Sequence, residues 1–238
     1  MSNPFTGEVA EKYDGFFETA FGRKVKEIEG EILVVSLKGF ESAEILEVGC
    51  GTGVWIEFLR ERGFKEPVGL DASRDMLRVA KRKGLRKLVE GRAAGLPFKD
   101  SQFDGVMFIT SLEFMVDRKR ALLEAARVAR RFILVGFLNA YSPMALFRKV
   151  KGFFKESVYS KGQFLTREEV EKAARWVGQV SPYSLKVESF KTSLNFSVDG
   201  FVNERLERLV GWSSPFGAFG VIRFRVVKRD GARKRDRV

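Results

Sequence analysis

Ile45-Leu46-Glu47-Val48-Gly49-Cys50-Gly51-Thr52-Gly53 is the stretch on which the fold turns. An apolar, β-rich run breaks into three alternating glycines, and a helical pattern follows at once over residues 54–62. Glycines let the backbone bend sharply and approach a ligand closely, while the free amides at the start of a helix favour negative charge. A phosphate-binding loop would end in Gly-Lys-Ser/Thr, which is missing here. A dinucleotide fingerprint would need its third glycine at position 54, where the chain has Val54. The spacing is therefore Gly-x-Gly-x-Gly, with Glu47 two residues upstream of Gly49.

Outward from this turn, short β-rich runs alternate with helical segments. Strands are predicted at 44–48, 67–71, 87–90, 103–109 and 131–137, with helices at 54–62, 73–83 and 119–130. Such alternation demands βαβ units and a mainly parallel sheet covered by helices. The runs at 103–109 and 132–135 are almost continuously apolar, as strands covered on both faces should be. Ahead of the turn, Val9, Tyr13, Phe16, Phe17 and Ala20 form one helical face; Gly22 is expected to end it, and a second helix to run from about residue 23 to 37. Beyond 137, residues 139–165 are rich in Phe and Tyr and include a basic helical stretch near 145–154. Thr166 and Glu169 form a capping-box pair that opens a helix at 166–177. Late strands are expected at 185–196 and 221–228, joined by a helix at 198–210 and paired antiparallel at the sheet edge.

Composition narrows the function. A chain of 238 residues with 45% hydrophobic and 31% charged residues suits one globular domain. Its longest apolar runs, 32–37 and 132–138, are too short to span a bilayer, and acidic and polar residues occupy the N-terminus, so a cytoplasmic protein is expected. Cys50 is the one cysteine, which rules out an intramolecular disulfide. Histidine is absent, which rules out His-based triads, His-ligated zinc and a His general base; no metal site is expected. Few Asn, Gln and Cys beside abundant Lys, Arg and Glu suggest a thermophilic source. The net charge of +12 is uneven: residues 1–70 hold 8 Lys/Arg against 13 Asp/Glu, so the basic excess lies in 71–238. RNA, an anionic membrane surface, an acidic substrate or a plain solvated surface all fit that excess. The basic tail 230–238 is expected to fray.

Asp71 ends the second predicted strand, 20 residues after Gly51. An acid there can accept both hydroxyls of an adenosine ribose, which does not distinguish one adenosine cofactor from another. Together the motifs do. Glu47–Gly53 resembles motif I of class I S-adenosylmethionine (SAM)-dependent methyltransferases. Val68-Gly69-Leu70-Asp71-Ala72-Ser73 with Met76-Leu77 resembles the family's second-strand motif. Gly91-Arg92-Ala93-Ala94-Gly95-Leu96-Pro97-Phe98, followed by Phe103-Asp104, resembles the third motif of the ubiquinone/menaquinone-biosynthesis subfamily. Tyr13-Asp14-Gly15-Phe16-Phe17 resembles a lid helix found ahead of them, although core packing is the plainer reading of those aromatics.

The resemblance implies a Rossmann-like seven-stranded, mainly parallel sheet with helices on both faces and an antiparallel edge strand. It implies SAM as cofactor, with residues 1–40 as lid helices and 139–180 as an aromatic-rich substrate insert in a single domain. Glu47 would hold the methionine amino group; Gly49, Cys50, Gly51 and Gly53 would line the methionine and ribose. Asp71 would take the ribose hydroxyls, Ala72 and Met76 would flank the adenine, and Thr110, Ser111 and Leu112 would lie under the sulfonium. Arg92 departs from the acid frequent at its position. An arginine cannot accept from the adenine amino group, which leaves a backbone amide at Ala93 to read the ring.

Methyl transfer needs alignment of donor and acceptor and exclusion of water, and a base only if the acceptor stays protonated. Glu113, Asp117 and Tyr141 are the available candidates, and Tyr13, Glu113 and Tyr141 are candidate acceptor contacts. Ile109-Thr110-Ser111-Leu112-Glu113-Phe114 lacks the Asp/Asn-Pro-Pro-Tyr/Phe of one large group of nucleobase amino-methyltransferases. A small or lipid-like acceptor is therefore expected, with RNA as the competing acceptor and a non-catalytic scaffold as the competing class.

Overall fold

A computed structural model describes residues 4–143, 145, 162–195, 197–198, 201–202, 207, 212 and 214–229. In chain order its elements are α1 (Glu8–Lys12), α2 (Gly15–Glu18), α3 (Ala20–Ser36), β1 (Ile45–Val48), α4 (Val54–Glu61), β2 (Val68–Asp71), α5 (Arg74–Arg82), β3 (Leu88–Glu90) and β4 (Phe103–Ile109). A 3-10 turn at Leu112–Phe114 follows. Then come α6 (Arg118–Val128), β5 (Ala129–Leu138), α7 (Arg167–Val180), β6 (Tyr183–Ser193), β7 (Ser197–Val198), β8 (Phe201–Val202) and β9 (Phe219–Lys228).

Seven strands form one sheet in the order β3-β2-β1-β4-β5-β9-β6. Pairings from β3 through β5 are parallel, and β9 runs antiparallel to both β5 and β6. The reversed strand thus sits one place in from the β6 edge.

Strand periodicity sorts the core into two layers. Along β4, Val106 and Phe108 pack with Ala121, Leu122 and Ala125 of α6 and with Val170, Ala173 and Val177 of α7. Met107 and Ile109 point the other way, among Ile32 and Leu33 of α3 and Trp55, Phe58 and Leu59 of α4. Strand β5 repeats the division, with Ile133, Val135 and Phe137 on the first side and Phe132 and Leu134 on the second. The chain runs outward from β1 to β3, then returns to place β4 on the other side of β1. A crevice opens at the carboxyl ends of strands where the order reverses in this way.

Two sequence expectations change. Gly22 does not end a helix but lies inside α3. The break falls at Thr19, whose hydroxyl caps α3 by accepting from Gly22 N at 2.9 Å. A Cβ on Gly22 would stand 1.8 Å from the Phe16 carbonyl oxygen, so glycine is needed there for the close approach of α2. The helix expected at 198–210 gives way at its start to the hairpin of β7 and β8; apart from Phe201, Val202 and Glu207, the rest lies outside the described residues. The helical stretch expected at 145–154, except Ala145, and the 230–238 tail also lie outside them.

Candidate functional site

The crevice deepens into a cavity of about 700 Å³ at the ends of β1, β2 and β4. Its floor is the glycine turn. Gly49 and Gly51 take φ of 76° and 54°, the left-handed region that glycine occupies without a Cβ penalty. Gly49 N and Cys50 N both donate to Leu70 O, at 2.7 and 3.1 Å, which binds the turn to the end of β2. Asp71 Oδ2 accepts from Gly51 N at 2.8 Å and its Oδ1 from Ser73 N at 2.7 Å. Burial pushes the Asp71 carboxyl up, and those two amides pull against the shift.

Glu47 lies behind the turn, fully buried. Neither of its carboxylate oxygens has a hydrogen-bond partner among the described residues. Burial, and after it the nearby Asp71, hold its carboxyl well above the usual carboxylate range. An orphaned buried acid is costly unless a cation meets it. Burial likewise raises the Cys50 thiol, so this cysteine is not a poised thiolate.

Thr110 follows β4 with φ 46°, a strained conformation for a β-branched residue, held by its amide donating to Gly136 O at 2.8 Å. The Ser111 hydroxyl donates to Val48 O at 2.8 Å and ties this segment to β1.

The remaining wall comes from the N-terminal residues. Phe5 meets Phe114 edge-on at 4.9 Å and Tyr13 at 6.1 Å; Phe17 meets Tyr13 at 6.3 Å and Trp55 at 6.0 Å. Polar contacts fix this wall to the cofactor loops. Gly7 N donates to Asp75 at 2.7 Å, the Ser73 hydroxyl to Phe5 O, and Thr52 and Lys83 both to Asp14.

Of the residues singled out from sequence, Glu47, Gly49, Cys50, Gly51, Asp71, Ala72, Met76, Arg92, Ala93, Thr110, Ser111, Asp117 and Tyr13 all line this one cavity. Four do not. Gly53 caps α4 in a left-handed conformation, and a Cβ there would stand 2.1 Å from Leu85. Leu112, 1% exposed, points into the core beside α6. Glu113 turns its carboxylate away, to accept from Leu138 N at 2.8 Å. Tyr141 is 62% exposed and stands outside the cavity. Sequence reasoning missed Phe5, Trp55, Phe114 and Met115 as lining residues. Phe114 could have been found from its place just past the fourth strand, whereas Phe5 reaches the site only through tertiary packing.

Among the described residues no group of His, Cys, Asp and Glu could hold a metal ion. Among the same described residues no helix is long and apolar enough to cross a membrane.

A glycine turn, a buried acid without a partner among the described residues and a second acid one strand over thus meet in one cavity at the crevice of the sheet. Residues 46–132 match the methyltransferase domain family. The chain is 30% identical over 181 residues to a Staphylococcus aureus demethylmenaquinone methyltransferase, covering 72% of this chain and 73% of that protein. The chain belongs to the SAM-dependent methyltransferase family.

Its fold superimposes on a Thermotoga maritima SAM-dependent methyltransferase described as a possible histamine N-methyltransferase, with TM-score 0.70, 25% identity and coverage of 90% and 95%. It also superimposes on the magnesium protoporphyrin IX methyltransferase of Synechocystis with bound S-adenosylhomocysteine (SAH), with TM-score 0.64, 13% identity and coverage of 93% and 95%. The cofactor is SAM, and the donor set fits it: the Glu47 carboxylate, without a partner among the described residues, suits a primary ammonium, and the carboxylate of Asp71 suits vicinal hydroxyls.

Proposed function

We propose that this protein catalyses methyl transfer from SAM to a small, largely apolar acceptor. Glu47 pairs with the methionine ammonium, and the turn of Gly49, Cys50 and Gly51 lies along the methionine and ribose. Asp71 accepts from the ribose hydroxyls with the lone pairs its two amide contacts leave free. Ala72, Met76, Arg92 and Ala93 surround the adenine. Thr110 faces the reacting end, where Phe5, Tyr13, Phe114 and Met115 form an apolar wall. SAM supplies a methyl group already activated on a sulfonium, so the chain's own part is alignment and exclusion of water. Aromatic faces at that end suit a flat or hydrocarbon acceptor more than a phosphate-rich one.

The carrying observation is the fully buried Glu47 carboxylate, without partners among the described residues, beside the glycine turn and Asp71. Titration calorimetry with SAM, SAH and NAD tests it. The sulfonium ligand and its demethylated product should bind, and NAD should not. Binding of NAD alone would return the site to a nicotinamide enzyme.

A further inference from the structure

Glu113 was a candidate for contact with the acceptor, yet its side chain belongs to a different construction. The chain leaves β5 through residues 138–140 and comes back through 163–165, and these two short pieces pair. Leu165 N donates to Leu138 O at 3.0 Å, Ala140 N donates to Leu165 O at 2.9 Å, and Asn139 and Leu165 form a parallel bridge. Both pieces end on Glu113. Its Oε1 accepts from Leu138 N at 2.8 Å, and its backbone oxygen accepts from Gln163 N at 3.2 Å. Arg118 closes the ring, with Nε on Leu112 O at 3.0 Å and Nη2 on Glu113 O and Gln163 Oε1 at 3.3 and 2.9 Å. The next residue, Phe114, is cavity wall, and its ring fills the space at Gly162, where a Cβ would stand 2.7 Å away.

We propose that Glu113 is the positioning residue of the cavity's aromatic end, clamping the Leu112–Phe114 turn to the end of β5 and to residues 163–165 so that Phe114 keeps its place in the wall. The inference rests on the methyltransferase reading only for what the cavity is used for. The clamp is also sensitive to protons. Glu113 is buried, its Oε2 has no partner among the described residues, and burial lifts its carboxyl to about 7, against the pull of Leu138 N and then of Arg118. Arg118, at the start of α6, is the charged side chain facing it. Residues 109–112, 138–140 and 162–165 carry no titratable side chain, and Asp117 is engaged as the α6 cap, accepting from Arg120 N at 2.9 Å. Burial favours the neutral carboxyl, so the clamp is firmest below about pH 4.5 and loosens as pH rises through about 7.

Site-resolved amide exchange on the full chain, corrected for the intrinsic pH dependence of exchange, tests this with E113Q and E113A. In the wild type, protection at Leu138 should fall about tenfold between pH 6 and pH 8, because a carboxyl titrating near 7 when clamped and near 4.5 when released gives that ratio. E113Q should keep the protection and lose its pH dependence. E113A should lose it at both Leu138 and Gln163 while Leu46 in β1 stays protected, and SAH affinity should stay within about threefold. The clamp is overturned if E113Q retains the wild-type pH course, or if E113A leaves Leu138 and Gln163 protected. Should E113A fail to fold, the E113Q comparison decides alone. Wild-type protein that binds no SAH would sink the methyltransferase reading and leave the exchange result standing.

Discussion

Replacing Glu47 by glutamine keeps the shape of the site and removes its charge. In the ligand-free protein the acid is buried, has no partner among the described residues and is held well above the ordinary carboxylate range, so it gives up its proton less readily than an exposed acid does. An ammonium brought against it stabilises the anion, and the proton leaves. Affinity for SAH should therefore rise with pH until the free carboxyl is ionised, and then level off. Truncating one partner of a buried charge pair costs about 2–5 kcal/mol. In the wild type part of this is already offset by the cost of deprotonating Glu47, so the lower half of the range applies. At a factor of ten per 1.4 kcal/mol, E47Q should bind SAH about 30- to 300-fold more weakly. Calorimetry at pH 6, 7 and 8, in two buffers of different ionisation enthalpy, reads both affinity and protons. The wild type should release a proton on binding at the lower pH, and E47Q none, with an affinity flat across the series. An E47Q protein that binds within about threefold of wild type, with unchanged proton release, would refute the pairing with the ammonium.

Asp71→Ala should weaken SAH binding by at least about tenfold, since a hydrogen bond to a charged group contributes about 1.5–3 kcal/mol; equal affinity in a filter-binding assay would remove the ribose assignment. Gly51→Ala places a Cβ in open space at φ 54° and should lower Tm by only about 2–8 °C, from left-handed strain of about 1–2 kcal/mol. Gly49→Ala meets Ser111 Cβ at 2.6 Å as well as the same strain, so calorimetric scans should show a clearly larger drop, and equal drops would mean the turn is built differently. The folded-state carboxyl of Glu113 lies above its unfolded value of 4.5, so its stabilising contribution is complete below that value and lost as pH rises through about 7. Urea midpoints should fall between pH 6 and 8 in the wild type and fall less in E113Q; identical slopes would contradict that burial. An RNA gel shift should vanish between about 50 and 200 mM salt, as phosphate contacts do; a complex that survives would favour an RNA acceptor.

The central sheet was legible because each strand announces itself by composition and each glycine turn by spacing. Strands at 103–109 and 67–71 stand where period puts them to within a residue, and the helix opened by Thr166 begins where its capping box puts it and runs on to Val180. Local signals misled where tertiary packing overrode them. Gly22 carried the mark of a helix end, but the Phe16 carbonyl presses against α3 there and leaves no room for a side chain. Leu112 lies two residues past Thr110 in sequence, and the 3-10 turn that begins with it leaves it in the core while Phe114, at its end, takes the cavity side. Glu113 looked like a base because its residue type suits one; only the structure shows that Leu138 N occupies it. Phe5 shows the other limit, since a lone aromatic near the N-terminus has no period by which to place it against Phe114.

Strand β9 lies between β5 and β6. During synthesis, β5 and β6 are therefore both present before anything can join them, and each offers a bare row of amides and carbonyls until residues 219–228 emerge. This edge of the sheet is thus zipped by β9, which follows both of its neighbours in the chain. A nascent chain halted before position 219 keeps two sticky ribbons, well suited to capture by a chaperone or to pairing with a neighbour on the same polysome.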